Sequence, residues 1–462
     1  MKRTLFILTL LLYCCTVSAQ QYSFTFLPAG LEDSVLYVGR HYRDEVQLVD
    51  SARHTAKGYL FRGKRMWPRG VYALVRQNRK AVLTDFLVDD SRVFTLNGDS
   101  KMSAASVKVK GSKANQLMFD FMATQDAARH EAESLQKTGD TAGLEALAKR
   151  MDAYEKKAYA IGKDNLYLQL IRRCEHPEVP DNVEDKAYYY RTHYWDPLFS
   201  SEYGVRSSEL LYSPQLFNKM NYFFFGLLYR ADSDTICKEL DRLMAHIGDD
   251  TAMARYVLQF IEPRYYRSTR NIGWDAVWCH IASEYILKGR CPWMRESELY
   301  LAEQNYNRIK QSIIGAHGQE LWMLDTTQID APEHWQSSHR QPARYVILWF
   351  WDPDCHHCQE QSAELKALYD SLQTAPDRRF EVYAVGYDSD VDKWKRYVKE
   401  HDFRWVNVGG PHVNIDYQEA YNVHGAPTMI ILDWHRDIIM NKVLPAKSLL
   451  QFFDNYEKNT KH

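Results

Sequence analysis

Basic charge is nowhere concentrated in this 462-residue sequence: 58 lysines and arginines are spread along the chain against 60 aspartates and glutamates, for a formal net charge of -2. The electrostatic footprint of a nucleic-acid binder is therefore missing, and nucleic acid is not an expected partner. Past the N-terminal leader, no apolar run approaches the roughly 20 residues a spanning helix needs, so the chain is not expected to be an integral membrane protein. Cysteine is sparse, eight in all. Cys174, Cys237, Cys279 and Cys291 lie in the middle of the chain without CxxC spacing or a histidine pattern typical of zinc, and core packing is the first reading for them, with structural disulfides second. There is no clean internal repeat.

What is present starts with a secretory signal. Lys2 and Arg3 precede an apolar stretch from Leu5 to Tyr13, and Val17-Ser18-Ala19 forms a small-residue cleavage site. The leader is assigned to 1–19, leaving six cysteines in a mature chain directed to the periplasm, where it is expected free or held at the envelope only by partners. From Tyr22 to about Asp99, short β-branched and aromatic runs alternate with turn residues such as Pro68-Arg69-Gly70, the rhythm of an antiparallel β-sandwich-like domain, assigned to 20–105. Between 106 and 318 the spacing turns helical and predicts an all-α middle domain. Ser213-Pro214 is a helix start, because serine caps free amides and proline sits where no donor is needed. The aromatic run from Tyr222 to Phe225 with Leu227 and Leu228 is expected to make a nearly fully buried helix. Tyr188-Tyr189-Tyr190 and Tyr194-Trp195 read as packing rather than as a binding groove.

The last segment, 319–462, has α/β character and carries the chemistry. The apolar strand Tyr345 to Phe350 runs through Trp351-Asp352-Pro353-Asp354 into Cys355-His356-His357-Cys358, followed by the helical pattern Ala363, Leu365, Leu368, Leu372. Cysteines at a helix start meet free amides and the positive end of the helix dipole, which stabilise the first thiolate, and a three-residue offset puts the second sulfur within disulfide reach. His356 and His357, when protonated, favour the reduced form and so an oxidising or isomerising poise, while Asp354 opposes the thiolate.

Further strands and helices complete a βα pattern up to Gly425-Ala426-Pro427-Thr428. On the residues Phe350-Trp351, the Cys355/Cys358 pair and Pro427, about the last 140 residues resemble the thioredoxin-like family, in its exported thiol-disulfide oxidoreductase branch (TlpA/ResA-like). The resemblance implies a C-terminal thioredoxin-like fold, with Cys355 as the exposed nucleophile and Cys358 as the buried resolving thiol. It places Pro427 at the family's cis-proline, with Ala426, Pro427 and Trp351 against the substrate. The expected partners are protein thiols and disulfides and a redox recycling partner in the envelope, with no cofactor. The β-rich segment is similar to a β-domain of unknown function that often precedes such domains in envelope proteins. Two family carboxylates are replaced: Trp349 stands six residues before Cys355 and Gln361 three after Cys358, leaving water or a group such as Glu360 for proton transfer.

Rival readings use the same residues. Zinc could take Cys355 and Cys358 with two of His334, His339, His412 and His424, but structural zinc usually brings a second closely spaced pair. A peroxidase needs a proline and threonine pattern that Pro353-Asp354-Cys355 does not supply. An envelope binding or assembly protein would use the C-terminal domain as a scaffold, against which stands the intact cysteine pair.

Overall fold

The computed structural model describes residues 22–78, 81–202, 204–267, 271–325, 334–372, 379–387 and 390–460, without the side chains of 410–412. The expected leader lies outside these residues. Two compact units are present: residues up to Tyr229 with Arg242–Tyr256, and Arg230–Asp241 with everything from Val257 onward. The helical segment is thus shared between two units. No helix among the described residues is long and apolar enough to cross a membrane.

In the first unit, strands β1 (Tyr22–Pro28), β2 (Val35–Tyr42), β3 (Glu45–Thr55), β4 (Gly58–Gly63), β5 (Gly70–Val75), β6 (Val82–Val88), β7 (Val93–Gly98) and β8 (Lys108–Lys110) form one sheet ordered β6-β5-β2-β3-β4-β1-β7-β8. Alternation drives it: Tyr22, Phe24 and Phe26 of β1 point into a core with Phe61, Phe86 and Phe94. The pairing departs from the antiparallel expectation at one place, where β1 lies parallel to β7. Five strands intervene between these two in the chain, which gives the crossover length that a parallel pair requires. The helix Lys113–Thr138 starts at a Ser112 cap and covers the sheet end. Its buried Asn115 accepts from the Leu87 N–H (2.7 Å) and donates to the Leu87 carbonyl (2.9 Å), satisfying main-chain groups of the edge strand β6.

Ser213 does cap the helix Pro214–Tyr222, accepting from the Leu216 N–H. The aromatic run after it is only half interior: Phe223 and Phe224 are buried, whereas Tyr222 and Leu227 are exposed. Successive helical residues turn by about 100°, so a run of consecutive bulky side chains cannot all face inward. Tyr194 and Trp195 are buried, with their rings 4.6 and 4.8 Å from that of Phe223, while Tyr188 stays on the surface. The four middle cysteines are free thiols. Burial pushes Cys174, Cys237 and Cys279 up to about 12 and Cys291 up to about 11.

In the second unit, β9 (Trp322–Asp325), β10 (Trp335–Ser337), β11 (Tyr345–Trp351), β12 (Phe380–Gly386), β13 (Val406–Val413), β14 (Thr428–Leu432) and β15 (Ile438–Met440) form a sheet ordered β10-β9-β13-β12-β11-β14-β15. β11 runs parallel to β12 and antiparallel to β14. Every residue of β11 is buried, because both faces of the sheet are covered. Tyr345, Ile347, Trp349 and Trp351 join a core with Leu365, Trp394 and Phe453 from the helices His356–Ser371, Val391–Glu400 and Ala446–Thr460. Val346, Leu348 and Phe350 face a second core with Leu321, Tyr383 and Tyr421.

Candidate functional site

The buried strand β11 ends at Trp351, and the chain must turn before a helix can start. Asp352 builds that turn: its carbonyl accepts from the Cys355 N–H (3.1 Å) and its Oδ1 from the Asp354 N–H (2.7 Å). Gln359 Nε2 donates to the Pro353 carbonyl (2.7 Å), tying the helix back to the turn. Cys355 occupies the N-cap of His356–Ser371 with φ -90° and ψ 111°. Its sulfur takes the place that an oxygen fills in most caps, accepting from the Cys358 N–H at 3.2 Å. An amide aimed at the sulfur at a helix N-terminus favours negative charge there.

Cys358 is fully buried one turn on, and its thiol is pushed up to about 12, first by burial and then by its hydrogen bond with Cys355. Cys355 is half-buried, and its thiol donates to the Ala426 carbonyl at 3.7 Å. The Ala426–Pro427 peptide is cis. Thr428 Oγ1 donates to the Gly425 carbonyl (2.7 Å) and closes this loop on itself. The structure therefore brings Cys355, Cys358, Ala426 and Pro427 together from two segments 68 or more residues apart in the sequence.

His356 and His357 lie beside the pair but point outward, their side chains 79 % and 83 % exposed, and both contact Glu360 at 3.3 and 3.5 Å. Glu360 is thus occupied at the surface. Asp354 pairs with Lys393 of the helix Val391–Glu400, so its charge near Cys355 is offset, a partner 39 residues away that sequence reading missed. Trp349 donates from Nε1 to Ser362 Oγ (2.9 Å). Trp351 corrects the expectation of a substrate contact: it is fully buried, packed on Trp394, Tyr397 and Phe403, because residue parity along β11 turns it to the core side. Of the motif helix's pattern residues, Ala363 is exposed, while Leu365 is buried. Of the histidines weighed as zinc ligands, His424 instead meets Asn422 and Arg308, and the His412 side chain lies outside the described residues. Among the described residues no three His, Cys, Asp or Glu side chains converge to hold a metal ion.

Residues 343–438 match a family model described as thioredoxin-like, and residues 145–312 match one described as a domain of unknown function (DUF5106). The chain therefore carries a thioredoxin-like domain and, before it, a domain of unknown function. No curated protein matches the chain. Among solved structures it is similar to a thioredoxin-like protein from Bacteroides caccae, at 17 % identity over 61 % of this chain and 98 % of that one, with a TM-score of 0.47. It is also similar to a domain of a possible thiol-disulfide isomerase from Cytophaga hutchinsonii, at 27 % identity over 32 % of this chain and 96 % of that one, TM-score 0.28. The thioredoxin domain of a thiol-disulfide oxidoreductase from Bacteroides vulgatus matches at 21 % identity over 30 % of this chain and 96 % of its own, TM-score 0.26.

Proposed function

We propose that the chain is an extracytoplasmic thiol-disulfide oxidoreductase that exchanges disulfides with protein substrates through Cys355 and Cys358. The observation that carries this reading is the asymmetry of the pair: Cys355 is half-exposed with an amide on its sulfur, and Cys358 is fully buried behind it. A reachable sulfur that is stabilised as a thiolate attacks a disulfide, and a buried neighbour one turn on resolves the mixed disulfide. Ala426 and Pro427 border Cys355 and receive the substrate backbone, while His356 and His357 tune the thiolate from the surface. Residues 1–19 direct export to the periplasm, the β-rich and helical segments 20–105 and 106–318 set substrate choice, and an envelope redox partner recycles the pair.

Equilibrating the purified mature protein in glutathione buffers, with mass-spectrometric trapping of thiols, tests this reading. A reversible couple for Cys355/Cys358 is expected. A value of about -120 to -180 mV means an oxidase or isomerase, and about -270 mV a reductase. The absence of a reversible couple sinks the proposal and leaves the binding-protein alternative.

A further inference from the structure

The helix Glu296–Ile309 ends against the loop that carries Pro427. It lies in the second unit together with the cysteine motif, and its residues belong to the stretch 145–312 that matches the domain of unknown function. Arg308 stands in its last turn, where a positive charge meets the negative end of the helix dipole. The Nη2 of Arg308 donates to Asn305 Oδ1 on the same helix (2.9 Å), and Nη1 donates to His424 Nε2 (2.9 Å), 116 residues further along. A guanidinium carries five N–H donors, so these two bonds leave it with donors to spare, and neither acceptor carries a negative charge.

His424 is two residues before Ala426, whose carbonyl accepts from the Cys355 thiol at 3.7 Å. Two residues of extended chain span roughly 7 Å at most. The same spacing along a substrate strand separates a cysteine from its next neighbour but one, so a chain whose cysteine meets Cys355 carries side chains into the reach of Arg308. The other cations around the pair are already matched: Lys393 sits on Asp354, and His356 and His357 contact Glu360. Arg308 meets no carboxylate among the described residues, and the loop Gly425–Thr428 contributes no charge. A half-buried guanidinium without a counter-charge has given up part of its water, and it gains most from a carboxylate that another chain supplies.

We propose that Arg308 is a specificity-determining residue of the exchange: its guanidinium binds an acidic side chain one or two residues from the substrate's reacting cysteine, so acidic peptide segments are the preferred substrates. The role rests on the disulfide-exchange reading, and it gives the end of the domain of unknown function a part in substrate choice. In the step concerned, the Cys355 thiolate attacks one sulfur of the substrate disulfide. The Cys355–substrate bond forms, the substrate S–S bond breaks, and the other sulfur leaves as a thiolate that takes a proton from solvent. The Cys355 sulfur is oxidised and the departing sulfur is reduced. Arg308 takes no part in these bond changes and acts on binding alone.

The test uses the reduced mature Cys358→Ser protein, which keeps the mixed disulfide on Cys355, and three disulfide-bonded peptides that differ only in carrying Glu, Gln or Lys on both sides of the cysteine. Adduct formation is followed by acid-quenched mass spectrometry, and each rate is divided by that of the same peptide with 2-mercaptoethanol, which removes the peptide's own reactivity. With Arg308 in place the Glu peptide is expected to react about fivefold faster than the Gln peptide and the Lys peptide slowest, a preference that shrinks in high salt. Arg308→Gln should flatten the order, Arg308→Glu should reverse it, and Arg308→Lys should keep its sign. The ratios are taken within one protein, so a general loss of activity cancels. An order that Arg308→Gln and Arg308→Glu leave unchanged overturns the proposal, as does the absence of any preference with Arg308 in place. Slowing by the same factor for all three peptides also overturns it, because Arg308 then only shapes the loop. If no peptide forms an adduct with Arg308 in place, the exchange reading itself fails and takes this role with it.

Discussion

Alkylation should distinguish the two sulfurs of the motif, and the structure sets the size of the effect. The Cys358 side chain is fully buried, and burial together with the hydrogen bond to Cys355 raises its thiol from 9.0 to about 12. Only the thiolate reacts with iodoacetamide, so at pH 8 that rise alone leaves on the order of 1000-fold less reactive species than in an unfolded chain. Burial adds a steric barrier, and local opening of the helix start sets the limit of protection. The assay labels reduced protein with isotopically distinct iodoacetamide in native buffer and in urea and reads each cysteine by peptide mass. Cys358 should be at least about 100-fold slower in native buffer than in urea, a bound that leaves room for opening. Cys355→Ala removes the second cause of the shift but not the first, so Cys358 should speed up and still remain protected. Native labelling of Cys358 within about tenfold of its unfolded rate would refute the burial on which its assignment as resolving thiol depends.

Phe453→Ala removes a fully buried ring stacked 4.2 Å from Tyr345 and should destabilise the second unit by about 3–5 kcal/mol in urea unfolding. Replacing His356 and His357 by alanine should make the couple less oxidising, by no more than about 30 mV, because exposure and Glu360 blunt their charge; equilibration in glutathione buffers reads both the sign and the size. The reduced protein should lose stability in alkali. Cys174, Cys237, Cys279 and Cys358 are held up at about 12 and Cys291 at about 11, so above about pH 9 the unfolded chain binds fewer protons than the native one. Stability then falls with rising pH by up to about 1.4 kcal/mol per unit for each thiol until the folded values are reached. A urea midpoint no lower at pH 10.5 than at pH 8 contradicts this.

The motif and its strand were legible because the signal is local. Tyr345–Trp351 is a continuous apolar run, as a strand buried on both faces requires, and the cysteines follow it at helical spacing. The same parity that puts Trp349 in the core puts Trp351 there, so the sequence held the information that Trp351 is interior, and the motif's resemblance outweighed it. Strand β3 was not legible: of its eleven residues only Ala52 is buried, and main-chain pairing to β2 and β4 holds it without an apolar face. The helix segments Phe223–Leu227 and Ala282–Ile286 wind as π-turns, a choice that side-chain patterning does not encode. The Lys393–Asp354 pair depends on how the chain folds back, and residue spacing carries no record of that.

The central claim is that Cys355 attacks and Cys358 resolves. Its most direct test is to incubate the reduced Cys358→Ser protein with a disulfide-bonded peptide and locate the adduct by mass spectrometry. A stable mixed disulfide on Cys355, absent when Cys355 is replaced by serine, is the predicted result. Failure of Cys355 to form an adduct, or an adduct on a middle cysteine instead, would contradict the claim.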